Sequence, residues 1–312
     1  MIDNLNSLTI EIENIYFEGV IMIVYEATKN EFINHVFMDK VVDIIEEKYT
    51  EKIGKVNKGE LRSWENSLQY MSRVLNDKQI PDNAGVAIEF KIPYTSKRVD
   101  FLISGREEKK NSVVIVELKQ WDFVEKVEGK EAIVKTLLNR AIREHTHPSY
   151  QAWSYAMLIE DYNETVQNEN IGLYPCTYLH NYRKKSKNDP LTDQIYSYYI
   201  EKAPVFIKGD AKKLQDFIKR HIKYGDDKEN LYKIEHGKIR PSKSLQDALA
   251  NMLKGNEEFI MIDEQKLVFE KALELANKAQ ETDQKEVLVV EGGPGTGKSV
   301  LAINLLDRKS VV

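Results

Sequence analysis

One cysteine, Cys176, stands in 312 residues, so the chain has no disulfide framework and no cysteine cluster for zinc. No apolar run approaches the length of a membrane span, and the N-terminus is too acidic for a secretory signal. There is no surplus of basic residues either. The formal net charge of −5 excludes a generally basic nucleic-acid binder, though not a local basic groove. Internal repeats and low-complexity tracts are also lacking. What is present, 42% hydrophobic and 30% charged residues, is the balance of a soluble globular protein of one large or two ordinary domains. A reduced, cytoplasmic setting is the expectation.

Residues 1–21 precede a second methionine, Met22, and are set aside as an extension. From Glu31 to Tyr49 apolar residues recur at helical spacing, and a second helix is expected over Glu60 to Leu75 with Trp64, Leu68 and Met71 on its stripe. Three strand-like runs follow: "VAIEFKI" (Val86–Ile92), "RVDFLIS" (Arg98–Ser104) and "SVVIVELK" (Ser112–Lys119), joined by turns short enough for hairpins. Mostly helical segments are expected next, including Ser149 to Asp161. "LYPCTYL" and "APVFIKG" read as further strands, and a helix is bracketed by Asp210 as N-cap and Gly225 as stop. The organisation expected is a catalytic body over 22–225, a charged linker and helix over 226–260, and a separate piece over 261–312.

Three ionisable residues interrupt the apolar strands. Glu117 and Lys119, two apart in one strand, point the same way, and a hairpin can bring Asp100 level with Glu117. Two converging carboxylates suit Mg²⁺ or Mn²⁺. Lys119 beside them could orient or deprotonate a water and stabilise charge on a phosphate, so the trio has the parts of metal-assisted phosphodiester hydrolysis. Each residue alone would read as a surface ion pair or a strand end. Together, inside strands meant for burial, they would be costly without a function.

The sequence "RVDFLI…VVIVELKQW" resembles the PD-(D/E)xK nuclease signature. The resemblance implies an α/β core with a mixed sheet flanked by helices, and a metal-assisting glutamate on the preceding helix. Glu60 is the favoured candidate there and Glu65 the second. Gln151 and Tyr155, four apart and so on one helix face, resemble the Q-x-x-x-Y element of RecB-type nucleases, which implies that they brace the lysine and the DNA backbone. His35 is the one candidate for the histidine that many such enzymes carry before the sheet, and it is not favoured as a ligand. His145 and His147 are candidates for the mouth of the site or for a loop or capping role. Lys97, Arg98, Lys126, Lys130, Arg140 and Arg143 could form a phosphate-tracking groove or be solvated surface residues. Nucleic acid, DNA ahead of RNA, is the expected partner.

Near the C-terminus "GGPGTGKS" matches G-x-x-x-x-G-K-[ST] from Gly292 to Ser299, between the apolar "EVLVV" and "VLAINLL". Gly292, Gly295 and Gly297 would let backbone amides wrap phosphates, Lys298 would reach the outer phosphates of ATP and Ser299 would ligate Mg²⁺. "MIDEQKLVFEKAL" resembles the Q motif of superfamily 1 helicases, which implies that Gln265 reads adenine. In combination these motifs resemble the Schlafen-like DNA/RNA helicase family of bacteria, in which a PD-(D/E)xK-like domain precedes a helicase-type ATPase. Lys298 lies so close to the last residue, Val312, that a Walker B carboxylate, an arginine finger and a second motor lobe have no room to follow. ATP hydrolysis by this chain is therefore not expected. A catalytically silent nucleic-acid-binding module and a nucleotide-binding fragment are the alternatives.

Overall fold

The computed structural model describes residues 23–239 apart from 94, 139 and 187, and residues 260–309 apart from 284, 286 and 292–296. The extension 1–21 and Met22, much of the expected linker, and Gly292 and Gly295 lie outside the described residues. Six strands form the main sheet: β1 (Ile23–Thr28), β2 (Gly85–Lys91), β3 (Arg98–Glu107), β4 (Lys110–Lys119), β8 (Gly172–Leu179) and β9 (Val205–Ile207), in that spatial order. The first four are antiparallel neighbours, β8 joins β4 in parallel and β9 joins β8 in parallel, so the sheet is mixed.

Helices cover both faces. On one face lie α1 (Lys29–Phe37), α2 (Val41–Lys52), α3 (Lys58–Leu75) and α7 (Ala211–His221), which bury Phe32, Ile45, Leu68, Met71, Leu214 and Ile218 against Ile88, Phe101, Val114 and Val116. On the other lie α4 (Pro148–Tyr162), α5 (Glu164–Asn168) and α8 (Glu229–Glu235), with Tyr155, Ile159, Val166, Leu231 and Ile234 packed on Ala87, Leu102, Val113 and Ile115. Each fully buried aliphatic side chain of this kind contributes about 1.5–3 kcal/mol relative to exposure. Burial on both faces explains why β4 reads as a continuous apolar run rather than an alternating one. Among the described residues the remaining α-helices are α6 (Ser197–Lys202), α9 (Asp263–Thr282) and α10 (Lys298–Lys309). Among the described residues no helix is long and apolar enough to cross a membrane.

Several local expectations change. The single run from Glu31 to Tyr49 is two helices, parted at Asp39, whose φ of 55° lies in the left-handed region. Residues 124–146 form a small antiparallel sheet, not helices: β5 (Val124–Lys126), β6 (Ile133–Leu138) and β7 (Ala141–Thr146). Its strands are short and half polar, and they are held by tertiary burial of Val124 and Val134 against Leu179, Tyr182, Leu191 and Tyr196. Asp210 makes no side-chain cap to α7, accepting instead from the Ile207 amide at 3.2 Å, and the helix ends at His221, ahead of Gly225. Gly225 serves close packing, because a Cβ there would meet Asn83. Residues 226–235, expected as linker, belong to the body: Asp226 accepts from Ser104 Oγ at 3.0 Å and from the Asn230 amide at 3.0 Å. Val287–Val290 form no strand and are largely exposed, since no neighbouring strand is present among the described residues for them to pair with.

Candidate active site

Side-chain alternation slips once in β2 and β3. Phe90 packs on the same face as Ala87, and Val99 on the same face as Leu102, each pair three residues apart where strict alternation would put them on opposite faces. The residues at the slip are Glu89, at φ 58°, and Asp100. Beyond it the β3–β4 ladder ends at Phe101↔Val116, which leaves Asp100 opposite Glu117, as the hairpin expectation required. The ladder is replaced there by a side-chain bond, the Leu118 amide donating to Asp100 Oδ2 at 2.7 Å.

A pocket of about 360 Å³ opens at these strand ends, lined by Asp100, Glu89, Glu60, Arg98, Lys97, His145, Gln151, Tyr155 and Asp263 among others. Lys119 Nζ lies 2.6 Å from Glu117 Oε1, with its ammonium over the Trp121 ring. Arg98 bridges two acids, Nε at 2.5 Å from Glu89 Oε2 and Nη2 at 2.8 Å from Glu60 Oε1, and Trp64 Nε1 donates to Glu89 Oε1 at 2.9 Å. On the far wall Gln151 Nε2 donates to Tyr155 Oη at 3.0 Å, and Tyr155 donates to Asp263 Oδ2 at 2.6 Å. Lys97 pairs with Asp263 at 3.0 Å and with Glu264 at 2.7 Å. Two buried acceptors, Glu117 Oε2 and Gln151 Oε1, take no hydrogen bond from the described residues.

Burial and then the neighbouring Glu117 carboxylate push the Asp100 pKa up to about 8. Burial also raises Glu117, against the pull of Lys119. For Lys119 burial acts downward, but the Glu117 and Asp100 carboxylates outweigh it and the pKa rises, so the ammonium stays charged. Burial, followed by the charge of Asp100, raises Glu89. His145 is lowered by burial and then by Lys119. A proton or a cation between Asp100 and Glu117 would relieve the repulsion that these shifts report.

The structure therefore brings together Asp100, Glu117 and Lys119; Asp100 lines the pocket with Gln151 and Tyr155, while Glu117 and Lys119 are not among its lining residues. Glu60 faces the same pocket but is tied to Arg98 and to Asn57, while Glu65 is exposed and outside it. Among the described residues no three His, Cys, Asp or Glu side chains form a ready cation cage, so the expected trio of Asp100, Glu117 and Glu60 does not assemble as one. His145 lines the pocket. His147 does not: it is fully buried as the N-cap of α4, its Nδ1 accepting from the Ser149 amide and its Nε2 facing the Leu191 carbonyl at 3.0 Å. His35 contacts Tyr25 Oη at 2.8 Å on α1 and is not a pocket residue. Lys97 and Arg98 are at the pocket but matched by carboxylates. Lys126 pairs with Glu128 and Asp193, and Lys130 with Glu144 and Glu274. Arg140 and Arg143 are exposed at the turn into β7 and along it.

Sequence reasoning missed Glu89 and Asp263. Glu89 carries the same signal as Asp100, an acid inside an apolar strand, but clean alternation in "VAIEFKI" disguised it as a solvent-facing position. Asp263 has no local signal, because it reaches the pocket only through the tertiary fold.

At the glycine loop, Gly297 has φ +78° and Lys298 and Ser299 begin α10. A Cβ on Gly297 would lie 2.1 Å from Gln265 Nε2, so the glutamine side chain packs directly on the loop.

Fold and pocket define a mixed-sheet α/β protein with a carboxylate–lysine site at the ends of its central strands. No family model, curated protein or solved structure matches this chain.

Proposed function

We propose that this pocket hydrolyses phosphodiester bonds in nucleic acid with a divalent cation, Mg²⁺ or Mn²⁺, and that DNA is favoured over RNA. The observation that carries the reading is the convergence of Asp100, Glu117 and Lys119, with Glu117 Oε2 buried and taking no hydrogen bond from the described residues. The donor chemistry fits a hard cation: Asp100 and Glu117 would hold it, with the bare Gln151 Oε1 as a neutral oxygen and water completing the shell. When bound, the cation supplies Lewis-acid polarisation of the phosphoryl oxygens. Lys119, held charged by Glu117, orients the attacking water and stabilises developing negative charge; it does not act as the base. Tyr155, positioned by Gln151, presents a hydroxyl to the substrate side of the pocket.

The PD-(D/E)xK fold and the Schlafen-like nuclease–helicase family remain the best account of the motifs, and Gly297, Lys298 and Ser299 at the start of α10 support reading the glycine loop as a site for ATP phosphates. A catalytically silent nucleic-acid-binding module is the second reading, favoured by the direct Glu117–Lys119 ion pair, which already satisfies the lysine. Cleavage of single- and double-stranded DNA and RNA, with and without Mg²⁺, separates the two. Lys119→Ala is expected to lower the Mg²⁺-dependent rate at least a hundredfold, about what one transition-state charge stabiliser contributes. Equal rates for the two proteins would sink the hydrolase reading.

A further inference from the structure

The far wall of the pocket is a ready set of anion donors that already holds an anion. Tyr155 Oη and Lys97 Nζ on the wall, and Thr146 Oγ1 buried behind it, address one carboxylate, that of Asp263, at 2.6, 3.0 and 3.4 Å. A hydroxyl, an ammonium and a second hydroxyl around one oxyanion are the usual partners of a phosphate group. Asp263 arrives from outside the sheet, at the first residue of α9, and is buried there with φ 34°, a conformation that a non-glycine residue holds only when its surroundings impose it. The surroundings are visible. Tyr150 Oη donates to the Met261 carbonyl, Ile262 packs into the core beside Tyr155, and Lys97 also grips Glu264. Gln151 Oε1 on the same wall and Glu117 Oε2 behind the strand end stay buried and take no hydrogen bond from the described residues, so acceptors are unmet while the donors are taken up. Asp263 also adds negative charge next to Glu117, where a phosphate would have to enter.

We propose that Lys97, Thr146 and Tyr155 form a phosphate subsite of the nucleic-acid site, and that Asp263 is its built-in occupant, which an incoming backbone phosphate must displace. This rests on the nucleic-acid reading of the pocket but not on catalysis. Displacement requires 260–264 to move against the Tyr150–Met261 bond and the core packing of Ile262, with no sheet ladder to break.

The test is binding of a short fluorescein-labelled single-stranded DNA, measured by anisotropy in EDTA so that cleavage plays no part. Removing a carboxylate that faces the phosphate, by Asp263→Asn, should tighten binding about tenfold or more. It should also steepen the log–log salt dependence by about 0.7 for the one ammonium released to phosphate. Tyr150→Phe, which loosens the same segment from a different anchor, should tighten binding in the same direction by a smaller factor. Unchanged or weaker binding in both variants overturns the proposal. Weaker binding by Asp263→Asn together with loss of cleavage assigns Asp263 instead to the binding machinery. The Lys119→Ala comparison reads cleavage alone, so failure of the hydrolase reading leaves this result to stand or fall separately.

Discussion

Replacing Asp100 with asparagine should make the cation-free protein more stable while abolishing its proposed activity. In the folded protein Asp100 holds its proton up to about pH 8, against the ordinary value of 3.8. A folded pKa above the unfolded one means that the native state retains a proton the unfolded chain has released. Stability is therefore undiminished below about pH 4 and falls as pH rises towards 8. At about 1.4 kcal/mol per pH unit the ceiling of the effect at pH 7 is about 4 kcal/mol. Relaxation and water entry reduce such penalties, and about 2 kcal/mol is the expected gain. Asparagine preserves the contacts, because its Oδ1 can still accept from the Leu118 amide and its Nδ2 can donate to the bare Glu117 Oε2.

At about 2–4 °C per kcal/mol for a domain of this size, thermal melting in EDTA at pH 7 should place Asp100→Asn about 4–8 °C above wild type. The difference should shrink towards zero near pH 4.5. Mg²⁺ should then raise the melting temperature of wild type, through binding to the native state, and leave that of Asp100→Asn unmoved. A variant that melts lower than wild type at pH 7, or a shift of equal size at both pH values, would refute the argument that Asp100 is a buried acid held in place for a cation.

His147 should show the opposite pH signature. Burial lowers its pKa to about 4, so the unfolded chain takes up a proton first and stability is lost as pH falls from about 6.5 towards 4. His147→Asn keeps a capping side chain and should flatten that acid-side slope in urea melts, whereas His147→Ala should cost about 1–2 kcal/mol at pH 7 without changing the cation dependence of cleavage. The two helix glutamates divide just as clearly. Glu60→Gln removes one partner of Arg98 inside the pocket and should slow Mg²⁺-dependent cleavage, while exposed Glu65→Gln should leave both rate and melting temperature within error. Equal effects of the two would remove Glu60 from the site.

What could be read from residues alone follows the range over which each feature is determined. The hairpins β2–β4 are local: hydrophobic pattern and short turns place Asp100 opposite Glu117 with no information from elsewhere. The break between α1 and α2 was hidden because the apolar spacing continues across Asp39. The β5–β7 sheet was hidden because half its residues are polar and its apolar ones count only once Leu179, Tyr182 and Tyr196 are brought to them. Asp263 lies 108 positions from its hydroxyl donor Tyr155, a separation that no pattern of period 2 or 3.6 can report.

The same division explains why the site sits where it does. A regular ladder satisfies its own amides and leaves no reason to bury a carboxylate. At Glu89 and Asp100 the alternation slips and a side-chain oxygen substitutes for the missing ladder acceptor, so the Leu118 amide calls for a short side-chain acceptor where regular pairing stops, which asparagine would meet as well as the acid present. That acid is buried and faces Glu117, and burial first and the Glu117 charge second hold a proton on it that the unfolded chain would release, which makes the folded chain less stable at neutral pH than an apolar sheet end would be. Lys119 offsets the excess charge only in part, because it binds one oxygen of Glu117 and leaves the other bare. The proposed ligand answers that imbalance: a divalent cation carrying a phosphate would be positive beside the Asp100–Glu117 pair and negative beside Lys97 and Tyr155.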